Sequence, residues 1–320
     1  MADLALARVR PDRTVLLRWL RDYGVYAGVA ALVLVNLALT PNFASLDTLR
    51  VQAVQVTPIL IVALGMAVVI GTGGIDLSVG AVMAVAASMI SLYLGYGPVA
   101  AVLAALLAGA VSGLVAGSLV AFVGVQPIVA TLALMIGGRG LAEVMLPQLD
   151  TFRNPELRAL GSGMFLGVPY VVLIAVALTL VVVFVVRRTT FGRQVLAIGG
   201  NPAASALAGL PVRRVLIGVY VLAGVLAAVA GVLATARLGA SDPTRLGELM
   251  ELNAITAVVI GGTALTGGRV RIAGTVAGAV LMQLLTATLI MHNLPQSWTQ
   301  IASAVVIVLA VWVARERGRN

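Results

Sequence analysis

Apolar runs long enough to cross a bilayer follow one another along almost the whole chain, and this restricts the fold more than any single motif. A helix crossing the hydrocarbon core needs about 20 mainly apolar residues. Ten such runs can be marked, near residues 24–40, 54–71, 77–95, 98–123, 127–146, 169–187, 213–236, 252–264, 272–292 and 298–314. The eighth is too short alone and must be broken or borrow from the glycine-rich stretch beside it. Soluble domains are roughly 45–50% apolar and about 25% charged. At 61% hydrophobic and 10% charged, this chain reads as an all-α integral membrane protein of about ten transmembrane helices.

Charge placement orients it. All 21 basic residues are arginine. Basic residues concentrate in cytoplasmic loops. With the N-terminus inside, ten spans leave fifteen arginines on the cytoplasmic side and five outside, with Arg139 within the fifth span. Both termini are then cytoplasmic: a segment 1–23, one transmembrane domain 24–314 with a long interior loop 188–212, and a tail 315–320. The long apolar run from near Val25 reads as a span rather than a cleaved signal peptide.

Composition also narrows the chemistry. Cysteine is absent and His292 is the single histidine, which leaves neither thiolate nor His-rich metal sites. Without lysine there is no Walker-type phosphate loop. If ATP drives this protein, another chain binds it. No catalytic constellation is visible, so an enzyme is not expected. A substrate-translocating subunit competes with an ion-coupled secondary carrier of a small polar solute. Proton relays need titratable groups in the membrane, and only Asp76, Arg139 and Glu143 lie at that depth.

Asp76 is the sharpest of these. The stretch "VVIGTGGIDLSVGAVMAVAA", 68–87, sets it alone among apolar and neutral residues. A charge at the bilayer centre costs ~2.5–3.5 kcal/mol on insertion scales. The glycines between Gly71 and Gly80, among them Gly73 and Gly74, free the backbone to leave the helix. Such backbone survives at membrane depth only inside protein or beside a water-filled cavity. Asp76 and Ser78 can satisfy freed amides at the start of the next helix. A structural cap and a role in the solute path or gate both remain open.

Other polar residues have simpler readings. Arg139 and Glu143 are four apart, which places them on one helix face as an ion pair; lining the path is the alternative. Gln283, a lone amide, is expected to bond across helices. The stretches "AGAVSGLVAG", 108–117, and "AGTVAGAV", 273–280, space small residues as helix-packing faces do. "AVVIGTGGIDLSVGAVMAV", 67–85, is echoed by "AVVIGGTALTGGRVRIAGTVAGAV", 257–280, as an apolar run, a glycine-rich break and a small-residue helix. Paired interrupted helices point to transporter architecture. In the interior loop, "NPAASALAGL" has Asn201 to cap, Pro202 for the first turn and Gly209 to stop. The product is a short, weakly polar helix, suited to being gripped by a partner.

"GGIDLSVGAVMA", "AIGGNPAASALAGLPV", "YVLAGVLAAVAGVL" and "ELNAITAVVIGGTALTGGRVRIAGTVAGAVL", in that order, resemble the permeases of ribose-type bacterial ABC sugar importers. The resemblance runs from roughly Thr57 to Val313. "QPIVATLALMIGGRGLAEVM", "TFRNPEL" and "MELNAI" look most like the galactofuranose-type permease. This implies a multi-pass subunit of the bacterial inner membrane, of the large ten-helix kind. It implies an ABC ATPase subunit holding ATP and magnesium, a periplasmic sugar-binding protein, and a second permease chain in a homodimer or heterodimer. It also implies a monosaccharide substrate, lipid around the chain, no nucleic acid, and no cofactor on this chain. The segment Gly200, Asn201, Pro202, Ala203, Ala204, Ser205, Ala206, Leu207, Ala208 and Gly209 becomes the coupling helix seated in the ATPase. Gly73, Gly74, Asp76, Ser78, Arg139, Glu143, Asn253 and Gln283 become the candidates for the path or gate. The outer loops 147–168 and 237–251 become the docking surface for the binding protein.

Overall fold

A computed structural model describes residues 13–295 and scattered positions between 297 and 308, with side chains from Tyr23 onward. Twelve helices follow in order: α1 (Arg13–Leu39), α2 (Leu46–Gly71), α3 (Val79–Tyr93), α4 (Pro98–Ser118), α5 (Pro127–Met145), α6 (Pro155–Ser162), α7 (Tyr170–Arg188), α8 (Thr190–Gly200), α9 (Pro202–Leu207), α10 (Val212–Leu238), α11 (Met250–Ile260) and α12 (Ile272–Met291). Among the described residues, seven helical segments are long and apolar enough to cross a membrane: α2, α3 extended to Tyr96, α4 extended to Val123, α5, α7, α10 and α12. The tenth sequence run lies mostly outside the described residues.

Two departures from the sequence bounds have clear physical reasons. Helix α2 begins eight residues earlier than its apolar run, capped by Ser45, whose Oγ accepts from Thr48 N at 3.2 Å. Asp47, Arg50 and Gln52 in its first turns mask this start from hydropathy. Helix α11 has 11 residues, about 16 Å of rise, and cannot cross alone. The short eighth run is therefore a half-helix, entered through a left-handed Leu249 with φ 57°.

The centre of the bundle is α2, buried without interruption from Ile59 to Gly71, with α10 beside it. The small-residue stripes act as the spacing foretold. A Cβ on Gly109 would lie 2.5 Å from Gly224 O, and one on Gly117 would lie 2.7 Å from Ile217 Cα. Gly113 meets the Tyr220 carbonyl in the same row. Helices α4 and α10 thus touch backbone to backbone, where dispersion takes over from the hydrophobic effect. The second stripe packs α12 on α11 through Gly274 against Gly261 and Gly278 against Ala257.

One end of the bundle is tied across sequence. The strands β1 (Asp150–Thr151) and β4 (Ala240–Ser241) pair antiparallel, while β2 (Met164–Phe165) and β3 (Val168–Pro169) form a local hairpin. Asn154 caps α6, and Gly161 seats α6 on the backbone of Ala236 and Arg237. The two segments assigned to the outer face, 147–168 and 237–251, are thus joined at a common end.

Candidate functional site

Between α2 and α3 the chain leaves the helix over Thr72–Ser78, and its backbone groups find partners. Gly73, at φ 81°, turns the end of α2 so that Gly74 N reaches Val69 O at 3.3 Å. This is the glycine closure common at helix C-termini. Gly71 O accepts from Gly268 N at 3.0 Å. Thr131 on α5 donates its hydroxyl to Ile75 O at 3.2 Å. Non-helical backbone is tolerated here because protein encloses it.

Asp76 is buried at 1% exposure, and its Oδ1 accepts from Ser78 N at 2.9 Å and Ser78 Oγ at 2.6 Å. The cap reading needs correcting in one respect. Ser78 stands at the N-cap of α3, yet its side chain caps nothing; its hydroxyl serves Asp76 instead. Tyr220, which the sequence did not single out, completes the surroundings. It is fully buried with no hydrogen-bond partner for its hydroxyl. A Cβ on Gly74 would lie 2.7 Å from that oxygen, so glycine at 74 makes room for the tyrosine tip.

The second break, after α11, closes in the same manner, with Gly262 at φ 84° and Thr263 N on Val258 O at 3.2 Å. Arg271 N then donates to Thr263 Oγ1 at 3.0 Å. The two breaks touch. A Cβ on Gly267 would stand 2.7 Å from Gly73 N and 2.8 Å from Gly199 O. A Cβ on Gly268 would stand 3.0 Å from Gly200 Cα. Gly199 itself lies directly on Gly71 O and Gly268 N. Three distant segments therefore meet backbone to backbone: the end of α2, the end of α8 and the turn before α12. Sequence reading found the two breaks but not their contact, nor the presence of α8 in the joint.

Helix α9 leads straight from that joint. Asn201 Oδ1 accepts from Ala204 N at 3.0 Å, Pro202 opens the first turn, and Gly209 takes φ 78° with Leu210 N on Ser205 O at 3.0 Å. Each local role read from the sequence is present. Only Ser205 is buried among these residues, and Leu207 is 92% exposed. The loop also contains α8, whose Val195, Ile198 and Gly199 are buried against the bundle. The sequence reading had assigned no helix there.

The remaining candidates lie apart from Asp76. Arg139 does not pair with Glu143, which corrects the spacing argument. Its Nη1 donates to Pro243 O and Leu246 O, each at 2.7 Å, and so holds the turn before α11. That turn rests on α3, where Gly80 faces Gly247 and Glu251 Oε2. Glu143 is exposed on α5. Gln283 does bond across helices, donating to Gln52 Oε1 at 3.0 Å and Gln55 Oε1 at 2.7 Å. Asn253 is half-buried on α11. A cavity of about 260 Å³ opens beside Ser78 between α3, α4 and α5; Ser112 is its other polar side chain.

In the turn before α11, Asp242 Oδ1 accepts from Thr244 Oγ1 at 2.6 Å, Thr244 N at 3.1 Å and Arg245 N at 3.2 Å. The Thr244 hydroxyl, foremost among these donors, holds the carboxyl below the ordinary aspartate range. A depressed pKa contributes stability that is full above the unfolded-state value and lost as pH falls through the folded one. The thermal stability of the wild type should therefore fall on acidification more than that of Asp242→Asn. The difference should stay under about 1 kcal/mol, because solvent screens the group. Parallel acid profiles for the two proteins would show that the turn draws nothing from this charge.

A mainly helical bundle with two glycine-closed breaks joined to an exposed capped helix is consistent with a membrane permease. Residues 50–311 match the family described as branched-chain amino acid transport system / permease component, and the chain belongs to that family. It is 37% identical to the ribose import permease protein RbsC of Bacillus subtilis over 312 residues, covering 93% of this chain and 94% of that one. It is 35% identical to the galactofuranose transporter permease protein YtfT of Escherichia coli, over 82% of this chain and 78% of the relative. The fructose import permease protein FruF of Bifidobacterium longum is 40% identical, over 78% and 72%. No solved structure matches the chain significantly. The ribose-type resemblance read from the motifs holds.

Proposed function

We propose that this chain is the membrane-spanning subunit of an ATP-driven importer that carries a monosaccharide delivered by a periplasmic binding protein. The names of the relatives support sugars as the substrate class, with ribose, galactofuranose and fructose among them. A galactofuranose or related pentose or hexose substrate is the specific reading. The observation that carries the mechanism is the glycine joint. Helix α9 offers an exposed, capped surface with Leu207 outward, suited to a cleft in an ATPase subunit on the cytoplasmic side. Its preceding residues, Gly199 and Gly200, lie against both helix breaks.

Movement imposed on α9 by closure of the ATPase subunits, with ATP and magnesium held there, passes into both breaks together. The break carrying Asp76 and the half-helix α11 then shift between outward- and inward-facing arrangements. A ligand bound equally by both arrangements shifts neither, so the bias comes from ATP and the loaded binding protein. Selectivity can then rest mainly with that protein, and a path of small and amide side chains suffices. Glu143, exposed on a membrane-depth helix, needs water or protein beside it. The solute path or the second permease chain, in a homodimer or heterodimer, supplies that neighbour.

The test is uptake into proteoliposomes carrying the complex, with ribose, galactose, fructose, xylose and arabinose offered separately. Uptake requiring both ATP at the ATPase face and binding protein at the other supports the reading. Uptake by this chain alone, driven by an ion gradient, overturns it in favour of a secondary carrier. In the same assay Asp76→Asn should keep assembly, since asparagine accepts the Ser78 bonds as aspartate does. If uptake fails while assembly and ATP turnover stay normal, the carboxylate acts in the gate. If uptake is retained, it serves as a structural acceptor.

A further inference from the structure

The hairpin of β2 and β3 ends in an apolar tip that no role above uses. Its strands pair Met164 with Pro169 and Phe165 with Val168, which leaves Leu166 and Gly167 as a two-residue turn. Both turn residues take positive φ, 50° and 80°, as the tightest hairpin turn requires. Asparagine, aspartate or glycine normally fills the first of these positions, because a bulky side chain is crowded there. Here a leucine holds it, 89% exposed. Strain kept at such a place points to a use for the side chain. Met164, Phe165 and Val168 are exposed as well. Successive strand residues point to opposite faces, so near the tip the bundle covers neither face.

The level of the tip says what surrounds it. Arg50 Nε donates to Gly167 O at 3.2 Å, and Arg50 Nη1 pairs with Asp47 at 3.4 Å. The hairpin is therefore tied beside the second turn of α2 instead of projecting past the bundle. The apolar run of α2 starts near residue 54, four residues further on, which puts the tie about 6 Å above the hydrocarbon edge. That is headgroup depth. On its other side the hairpin runs straight into α7, whose Val176, Leu180 and Phe184 form an exposed apolar stripe. No charged residue lies between Arg158 and Arg187. Tyr170, exposed where α7 begins, is the kind of ring that settles at this level.

We propose that the hairpin 164–169 is an anchor in the bilayer interface, with Phe165 and Leu166 inserted among the lipid headgroups and upper acyl chains. Apolar side chains gain there by leaving water, and an uncharged tip offers a soluble protein no charge to recognise. The anchor fixes one end of the segment 147–168 at the membrane surface, while β1 ties the other end to β4. The inference does not depend on the solute carried.

The experiment uses the full-length protein in phosphatidylcholine nanodiscs, which leave both faces open to solutes. With no native cysteine, the chain takes a single bimane label at Leu166→Cys, or at Glu156→Cys as an exposed control on α6. Phosphatidylcholine brominated high in its acyl chains should quench the label at 166 and leave that at 156 bright; aqueous iodide should do the reverse. Iodide quenching of both labels, with none by brominated lipid, would place the tip in water and overturn the anchor. A label at 166 shielded from both quenchers would mean that another protein chain covers it, and would overturn lipid as the occupant. Since that label replaces the leucine, a second pair keeps position 166 free: Val168→Cys, with and without Leu166→Asn. Asparagine suits the left-handed turn, so the hairpin persists while its apolar tip is lost. Lipid quenching at 168 should then fall several-fold. Unchanged quenching would show that Leu166 holds nothing in the bilayer, and the anchor would fail.

Discussion

Gly199→Ala should disconnect ATP hydrolysis from uptake, while Gly200→Ala beside it should not. A Cβ at 199 falls onto Gly71 O and within 2.5 Å of Gly268 N, and both neighbours are backbone. Side chains can rotate away from an added methyl; hydrogen-bonded backbone cannot. Overpacking of a tight site costs typically about 1–3 kcal/mol. The cheapest relief is withdrawal of the end of α8 from the two breaks. At Gly200 a Cβ meets nothing within 4 Å, so the same chemical change one residue later is the control. The ATPase subunit should still co-purify with the Gly199→Ala protein, because α9 and Leu207 are untouched. Uptake should fall by an order of magnitude or more while hydrolysis continues. Normal transport in Gly199→Ala would remove the joint from the mechanism. A Gly200→Ala protein as damaged as its neighbour would mean that the loop tolerates no change, and the specific contact would lose its claim.

Arg139→Gln should destabilise the protein by about 3 kcal/mol or more, with Glu143→Gln close to neutral. Hydrogen bonds to charged groups contribute about 1.5–3 kcal/mol each, and Arg139 makes two, at 2.7 Å, to Pro243 O and Leu246 O. Without them the turn that rests on Gly80 loses its tether, and two carbonyls lose their donor. Both bonds leave one nitrogen, so Arg139→Lys should restore part of the loss, an ammonium being able to donate twice. Thermal unfolding in detergent, run as a double-mutant cycle, separates this account from an ion pair. The pair reading requires a coupling between positions 139 and 143; the observed geometry requires almost none. A Glu143→Gln protein as unstable as Arg139→Gln would contradict the geometry.

That pair shows what the sequence could and could not disclose. A spacing of four says two side chains share a helix face; it does not say what approaches that face. For Arg139 a turn about a hundred residues away offers two carbonyls, and tertiary structure overrides the local option. Features set by neighbours in sequence were legible: the Asn201–Pro202–Gly209 caps of α9, the small-residue stripes, and the glycine interruptions on either side of Asp76. Gln283 was legible as well, because a lone amide in an apolar helix has few other ways to be satisfied. Tyr220 was not, since its hydroxyl matters only through the place of Gly74, and nothing in "YVLAGVLAAVAGVL" marks it. The meeting of Gly71, Gly199 and Gly268 was hidden for the same reason. Three glycines in three separate segments carry no sign of one another until the chain is folded. The start of α2 was missed for an opposite cause: a helix can continue into polar residues where hydropathy stops.

The two breaks carry the same five residues, AVVIG, at 67–71 and 257–261, yet they end one residue apart. In the first, the left-handed glycine comes two positions after the shared glycine, at Gly73; in the second it comes one position after, at Gly262. One residue of α-helix is about 100° of rotation and 1.5 Å of rise. Copies of one motif therefore release their chains in directions about a quarter-turn apart. Two identical exits facing each other would compete for the same volume. Offset exits can interlock, with the turn from one seated beside the glycine of the other. The duplicated sequence thereby builds an asymmetric pair, in which only one member carries an aspartate.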